Sequence, residues 1–304
     1  MWLLFFVIVV VWGFNYVFVN IGLANASPLW LASLRAGFGA LTVLVVVTGL
    51  RQWNVLDARG RRDALLLGLP NTTLFFALWF VAAQHVLPGV AAVVIYTFPL
   101  WVALLSAPVL GYRLAARHWI AVAIGFAGVA LISQIWQFAG GGTSVVPLLE
   151  LVAAALAWAL GTVLFQRRFR REEMPEANAF QLIGGAVGLL VVTLVAAPLP
   201  LPRFTPSLWA SVLWMGVLGT AVAYAIWFML LGRTQAAQLS AYVFLVPVVA
   251  LAASAVVFGE RLSAVQLIGV GLVLVSIYGI ARAGTRSGGG PAPVPPSAGQ
   301  LRST

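Results

Sequence analysis

Trp12, Tyr16 and Asn20 follow one another at intervals of four, so a helix would carry all three down one face with Asn15 alongside. Trp158, Thr162 and Gln166 repeat that spacing 146 residues later. Aromatic rings interleaved with amides and hydroxyls hold an amphipathic small molecule by stacking and hydrogen bonding; they do not break bonds. The alternative role for such stripes is polar glue between helices, with tryptophans anchored at a membrane interface. Side chains able to make or break bonds are scarce. The chain has no cysteine, two histidines and seven acids, and Glu172, Glu173 and Glu176 sit in an arginine-rich loop. This excludes thiolate catalysis, disulfides and cysteine metal sites. No metal-ligand spacing, nucleotide loop or catalytic triad is present, so the expectation is no enzyme, no cofactor and no metal.

These stripes lie in a chain of 304 residues that is 62% hydrophobic and 8% charged, with a mean hydropathy of +1.04. A soluble domain is about 25% charged. Apolar blocks recur at about 2–22, 28–50, 64–84, 88–110, 117–136, 145–166, 177–199, 208–231, 235–258 and 262–282. Each approaches the length that crosses roughly 30 Å of hydrocarbon as a helix. The predicted fold is therefore all-α and integral to the membrane, with ten transmembrane helices in contact with a lipid bilayer. Ala24-Asn25-Ala26 has the form of a signal-peptidase site, but no charged segment precedes the first span and it is expected to be retained. A net charge of +10 would suggest nucleic acid in a soluble protein; here it reads as topology-setting loop charge. Residues 283–304, rich in Gly, Pro and Ser, are predicted to be a disordered tail.

Residues 71–114 and 219–262 align without a gap at an offset of 148, with eleven identities in 44 positions. The matches include Trp79-Phe80 with Trp227-Phe228, Pro99 with Pro247, Ser106-Ala107 with Ser254-Ala255, and the closing G-x-R-L. Five spans per half is an odd number, so the second copy must cross the membrane upside down. The domain reading is a first five-helix repeat over 1–140 and an inverted second repeat over 141–282. Inverted repeats suit a carrier, because two like halves can rock about an in-plane pseudo-two-fold to open either side in turn. The plainer reading is a duplication kept for stability.

A central cavity between the halves would draw on further polar and aromatic positions. The third span offers Asn71, Phe75 and Trp79, and its counterpart offers Thr220, Tyr224 and Trp227. Tyr96 and Trp101 flank Pro99. Pro99 and Pro247 interrupt the fourth and ninth spans near their middles, where a missing N–H permits a kink, and are candidate hinges. Arg35 is the one cation inside a span; Gln181 stands at its matching position. It could snorkel to headgroups or meet a substrate carboxylate or a carbonyl cluster. The predicted substrate-binding set is Trp12, Asn15, Tyr16, Asn20, Arg35, Asn71, Trp79, Tyr96, Trp101, Trp158, Thr162, Gln166, Tyr224 and Trp227.

The early "WGFNYVFVNIG", the short loop to Pro28, the following Arg35 and the late "GERL" after Pro247 resemble the EamA type of the drug/metabolite transporter superfamily. The resemblance covers about 1–282; the second repeat departs from it with Trp158-Ala159 in place of W-G and Gln181 in place of Arg. It implies a ten-helix, two-repeat carrier in a bacterial inner membrane that exports amino acids or related metabolites, with YddG-like exporters of aromatic amino acids among its members. Drug or other-metabolite export is the alternative within the superfamily. An integral-membrane lipid-modifying enzyme is the alternative outside it. Direction of transport and oligomeric state are left open.

Orientation follows from the arginines. With the N-terminus cytoplasmic, fourteen arginines fall in inside segments against two outside, Arg203 and Arg261, and both termini are cytoplasmic. Topology reporters fused after Arg171 and after Arg286 are each expected to read cytoplasm; a periplasmic signal at either point contradicts the ten-span arrangement.

Overall fold

The computed structural model describes residues 2–49, 51, 53–85, 91, 94–111, 114–133, 145–197, 199–258 and 263–283. Arg113, Glu260 and Arg261 of the repeated G-x-R-L endings, and the tail from 284 onward, lie outside the described residues.

Among the described residues every regular element is helical. In hydrocarbon a backbone has no water to bond, and a helix satisfies its polar groups internally. The first half holds α1 (Trp2–Leu23), α2 (Pro28–Gly49), α3 (Ala58–Gly68), α4 (Phe75–Ala82), α5 (Phe98–Leu110) and α6 (Ala116–Ser133). The second holds α7 (Val145–Arg168), α8 (Met174–Ala196), α9 (Pro206–Leu213), α10 (Ala223–Leu231), α11 (Ala236–Ala241), α12 (Leu245–Phe258) and α13 (Ala264–Ala283). Seven continuous helical stretches are long and apolar enough to cross a membrane, and three shorter apolar helices, Phe98–Leu110, Ala116–Ile132 and Ala264–Gly279, fall on other predicted spans. This is a multi-pass membrane protein.

Local chemistry sets the ends. Asp57 caps α3 by accepting from Gly60 N at 2.6 Å, and Thr205 caps α9 by accepting from Leu208 N at 3.2 Å. The α2–α3 loop is pinned by Glu176, expected in a solvated loop but fully buried in the first turn of α8. Its carboxylate accepts from Val55 N (2.7 Å), Leu56 N (2.9 Å) and Arg61 Nε (2.9 Å), partners enough to hold a buried charge. His118 is likewise buried, in the first turn of α6.

Between α3 and α4, residues Leu69–Leu74 widen into a π-helical segment, π1; between α9 and α10, Trp214–Val222 form its counterpart, π2. At an offset of 148 the first maps onto 217–222, inside the second. Pro70 accounts for π1 directly, because it has no N–H for the α-ladder. In π2 the Thr220 hydroxyl donates to Met215 O, five residues back, at 2.9 Å. Pro70, Gly216 and Gly219, with Gly68 just before, thus sit where the helices widen without being interrupted. The two hinge prolines also differ from expectation. Pro99 and Pro247 sit in the first turns of α5 and α12, where proline costs little, and the interruptions lie just before them, at Tyr96–Thr97 and in the 3₁₀ turn Tyr242–Phe244.

Packing runs in exchanged pairs. Helix α2 lies against π2 as α8 lies against α3 and π1; α1 meets α12 as α7 meets α5; α1 crosses π2 and α10 as α7 crosses π1 and α4. Helices α2 and α8 pair with each other, as do α6 and α13. The closest crossings repeat residue by residue. A Cβ at Gly216 would meet Phe38 Cβ at 2.8 Å, Arg35 O at 3.1 Å and Gly39 N at 3.4 Å; one at Gly68 would run into Gln181 O, Gly184 C and Gly185 N, the matching positions. Gly39 sits on Thr220, and Gly185 on Thr72. Asn15 covers Gly219, and Asn71 covers Gly161, the same crossing with the two residue types exchanged. Small residues let membrane helices approach this closely.

These contacts order three substitutions. Gly68→Ala is expected to lower the thermal midpoint most, since its obstacles are all backbone; Gly216→Ala should lower it less, by ~1–3 kcal/mol of overpacking. Gly37→Ala, with nothing within 4 Å, should be neutral. Detergent-solubilised thermal unfolding checks the order, and equal effects at the three sites contradict this packing.

Candidate functional site

The middle of the bundle is an aromatic cluster drawn from both halves. Trp158 of α7 stacks on Phe98 of α5 at a centroid distance of 3.9 Å and on Phe75 of α4 at 5.1 Å. Trp12 of α1 meets Trp158 edge-on at 5.5 Å, Trp227 at 5.7 Å and Tyr224 at 6.4 Å. Tyr16 meets Trp79 edge-on at 6.3 Å. Offset and edge-on contacts of this kind add ~0.5–1.5 kcal/mol per pair beyond burial.

A cavity of about 50 Å³ remains beside these rings. Helix α1 contributes Trp12, Asn15 and Tyr16; α2 contributes Arg35; α4 contributes Phe75 and Trp79; α7 and α10 contribute Trp158 and Tyr224; and Ile95, Tyr96 and Val243 complete the wall. The space suits a carboxylate-sized group or a few waters. It is well below the roughly 300 Å³ of a whole-ligand pocket. The expected central cavity is therefore narrow, because its walls stack on one another.

Arg35 dominates the electrostatics. It is 2% exposed and points inward, so it does not snorkel. Its Nε donates to Thr220 Oγ1 at 3.0 Å and Nη2 to Gly219 O at 3.5 Å. Gly219 O also accepts the Trp12 indole N–H at 3.0 Å. The guanidinium carbon lies 4.4 Å from the Phe76 ring centroid and 5.5 Å from that of Trp79. Among the described residues no carboxylate pairs with it. Nη1 is buried without a partner, as are Trp158 Nε1, Trp227 Nε1, Tyr224 OH and Asn15 Oδ1. All but the last can donate. Such a set calls for an acceptor, and most strongly for an anionic one.

Eight predicted residues therefore share the cavity: Trp12, Asn15, Tyr16, Arg35, Trp79, Tyr96, Trp158 and Tyr224. Six do not line it. Trp227 packs one layer behind. Asn20 is exposed farther along α1. Asn71 and Thr162 are fully buried near the π1–α7 crossing, against which Gly161 packs. Trp101 turns its N–H to Thr97 Oγ1 at 3.0 Å. Gln166 ties the α10–α11 corner, donating to Leu231 O (2.9 Å) and Thr234 O (2.6 Å) and accepting from Ala236 N (2.9 Å). Phe75, on the third-span stripe but left out of the set, lines the cavity as well; Ile95 and Val243 were outside the expected set. They are repeat partners at an offset of 148, and that register was the signal that could have found them.

The EamA-like transporter family matches residues 1–134 and 146–282. The chain belongs to this family of the drug/metabolite transporter superfamily. It is similar to the "Uncharacterized transporter YvbV" of Bacillus subtilis, 29% identical over 271 residues and covering 89% of this chain and 88% of that one. It is also similar to the "Probable amino-acid metabolite efflux pump" of Escherichia coli, 27% identical over 283 residues, covering 89% and 91%. A solved structure described as "Crystal structure of protein" shares the fold, with a TM-score of 0.78, 19% identity and coverage of 94% of this chain and 98% of that chain. This EamA-like protein is thus a membrane transporter, from a family of carriers and not of enzymes.

Proposed function

We propose that this EamA-like protein is a ten-span carrier of two inverted five-helix repeats that exports small amphipathic metabolites, foremost amino acids with large or aromatic side chains, by alternating access. The proposal places it in a bacterial inner membrane with both termini cytoplasmic. The observation that carries the substrate reading is Arg35: a buried guanidinium with a free Nη1 hydrogen-bonding edge, no acidic partner among the described residues, and aromatic rings beside it. A carboxylate on Arg35 would satisfy the charge, and an apolar or aromatic side chain would replace the ring-on-ring contacts that now narrow the cavity. The exchanged packing of the two halves and the two family matches along the chain support the repeat. The name of the Escherichia coli relative supports amino-acid efflux.

Counterflow in proteoliposomes tests this. Tryptophan and phenylalanine are expected to exchange faster than threonine, and tryptamine, which lacks the carboxylate, much more slowly. Arg35→Gln, which installs the residue of the second repeat, is expected to slow tryptophan exchange roughly 10- to 100-fold, the range for losing a hydrogen bond to a charged group. Transport of a nucleotide sugar alone, or tryptamine moving as fast as tryptophan, overturns the reading.

A further inference from the structure

The central cavity has a much roomier neighbour. A groove of about 450 Å³ runs between the second half of α2, the start of α8 and the π2–α10 span. Its walls are apolar, including Val43, Val47, Val222, Ile226 and Met229. Val222 to Met229 is seven residues of helix, or about 10 Å of length. Ala225, a small residue in the groove wall, is exposed, and Leu44, Val45 and Val46 of α2 are exposed apolar side chains of the kind that face lipid.

At one end the chemistry changes. Arg171, just before α8, and Arg233, just after α10, both line the groove. Gly232 packs against Arg171, which brings the two arginines to one corner. Nearby acids are already engaged: Glu176 by Arg61 and two backbone amides, Asp63 by Arg168, and Glu173 by the Arg170 amide. Glu172 is exposed and pairs with neither Arg171 nor Arg233. Two exposed guanidiniums therefore cap an apolar slot, and no described residue neutralises them.

We propose that this groove binds an anionic glycerophospholipid, with the headgroup phosphate on Arg171 and Arg233 and an acyl chain along the α2–α10 walls. The fit is one of charge and shape together. Arginine forks match phosphate oxygens, and basic pockets between membrane helices are suited to acidic headgroups. The seat touches three elements, α2, α8 and π2–α10, whose close crossings form the centre of the bundle, so an occupied groove would stiffen that crossing. The site is separate from the Arg35 cavity, and the proposal does not depend on the identity of the transported substrate.

Native mass spectrometry of the full chain in detergent, titrated with phosphatidylglycerol, phosphatidylethanolamine or inorganic phosphate, reads this directly. Phosphatidylglycerol is expected to stay bound. Phosphatidylethanolamine should bind markedly more weakly, and free phosphate should neither bind detectably nor displace the lipid. Arg171→Gln with Arg233→Gln should weaken phosphatidylglycerol binding roughly thirtyfold, at about a factor of five per basic residue. The double lysine variant should restore most of it. Ala225→Leu, which fills the slot and leaves both arginines, should also weaken binding, and it carries the test if the glutamine variant misfolds. Equal retention of the two lipids, displacement by free phosphate, or unchanged binding in both the glutamine and leucine variants overturns the proposal.

Discussion

The backbone of α2 rests on the backbone of π2 closely enough that Gly39 and Gly216 leave no room for a Cβ, and this approach lets Arg35 reach Gly219 and Thr220. An isolated buried cation is costly, and its charge must be met locally. Here the carbonyl and hydroxyl of the widened helix meet part of it, and the faces of Phe76 and Trp79 meet more. What is left is directional. One edge of the guanidinium still faces the aromatic cluster without a partner. The helix widening, the glycine contacts and the aromatic positions are therefore linked: each fixes where an inward-facing positive charge can sit.

The fold is nearly symmetric and the site is not. The crossings of α1, α2, α7 and α8 with the widened helices have their exchanged partners, down to Asn15 over Gly219 and Asn71 over Gly161. At the position matching Arg35, however, Gln181 donates to Asn178 Oδ1 at 3.2 Å and closes a neutral, fully buried contact. A two-fold scaffold supplies two equivalent close-packed pairs, α2 on π2 and α8 on π1, and only the first carries charge. Under the proposed alternating access, such symmetry would let the bundle rearrange between like states, and the single arginine gives the centre its sign.

Much of this was legible in the sequence because lipid imposes a simple rule: apolar blocks become helices, and polar side chains within them turn inward. The paired stripes of the two halves put Trp12, Tyr16, Trp79, Trp158 and Tyr224 around one cavity, and the structure brings them together. At Asn71 spacing by fours failed because the helix there is not an α-helix. The extra residue in a π turn offsets the side-chain register by about 100°, so Asn71 turns to α7 while Trp79, nominally on the same stripe, faces the cavity. Gln166 failed for a different reason. It lies in the last turns of α7, beyond the cluster, where unsatisfied loop carbonyls take up its amide. Periodicity also gives no depth of packing, so it could not anticipate that the rings would close on one another.

Under the proposed alternating access, Tyr16, beside Arg35 at the middle of the bundle, is reached from each face of the membrane in turn. The chain has no cysteine, so Tyr16→Cys provides one reporter for a membrane-impermeant maleimide applied to either face of oriented vesicles. The account predicts labelling from both faces, with a transported amino acid changing the two rates in opposite directions. Labelling from one face only, at a rate unchanged by any amino acid that exchanges in proteoliposomes, contradicts it.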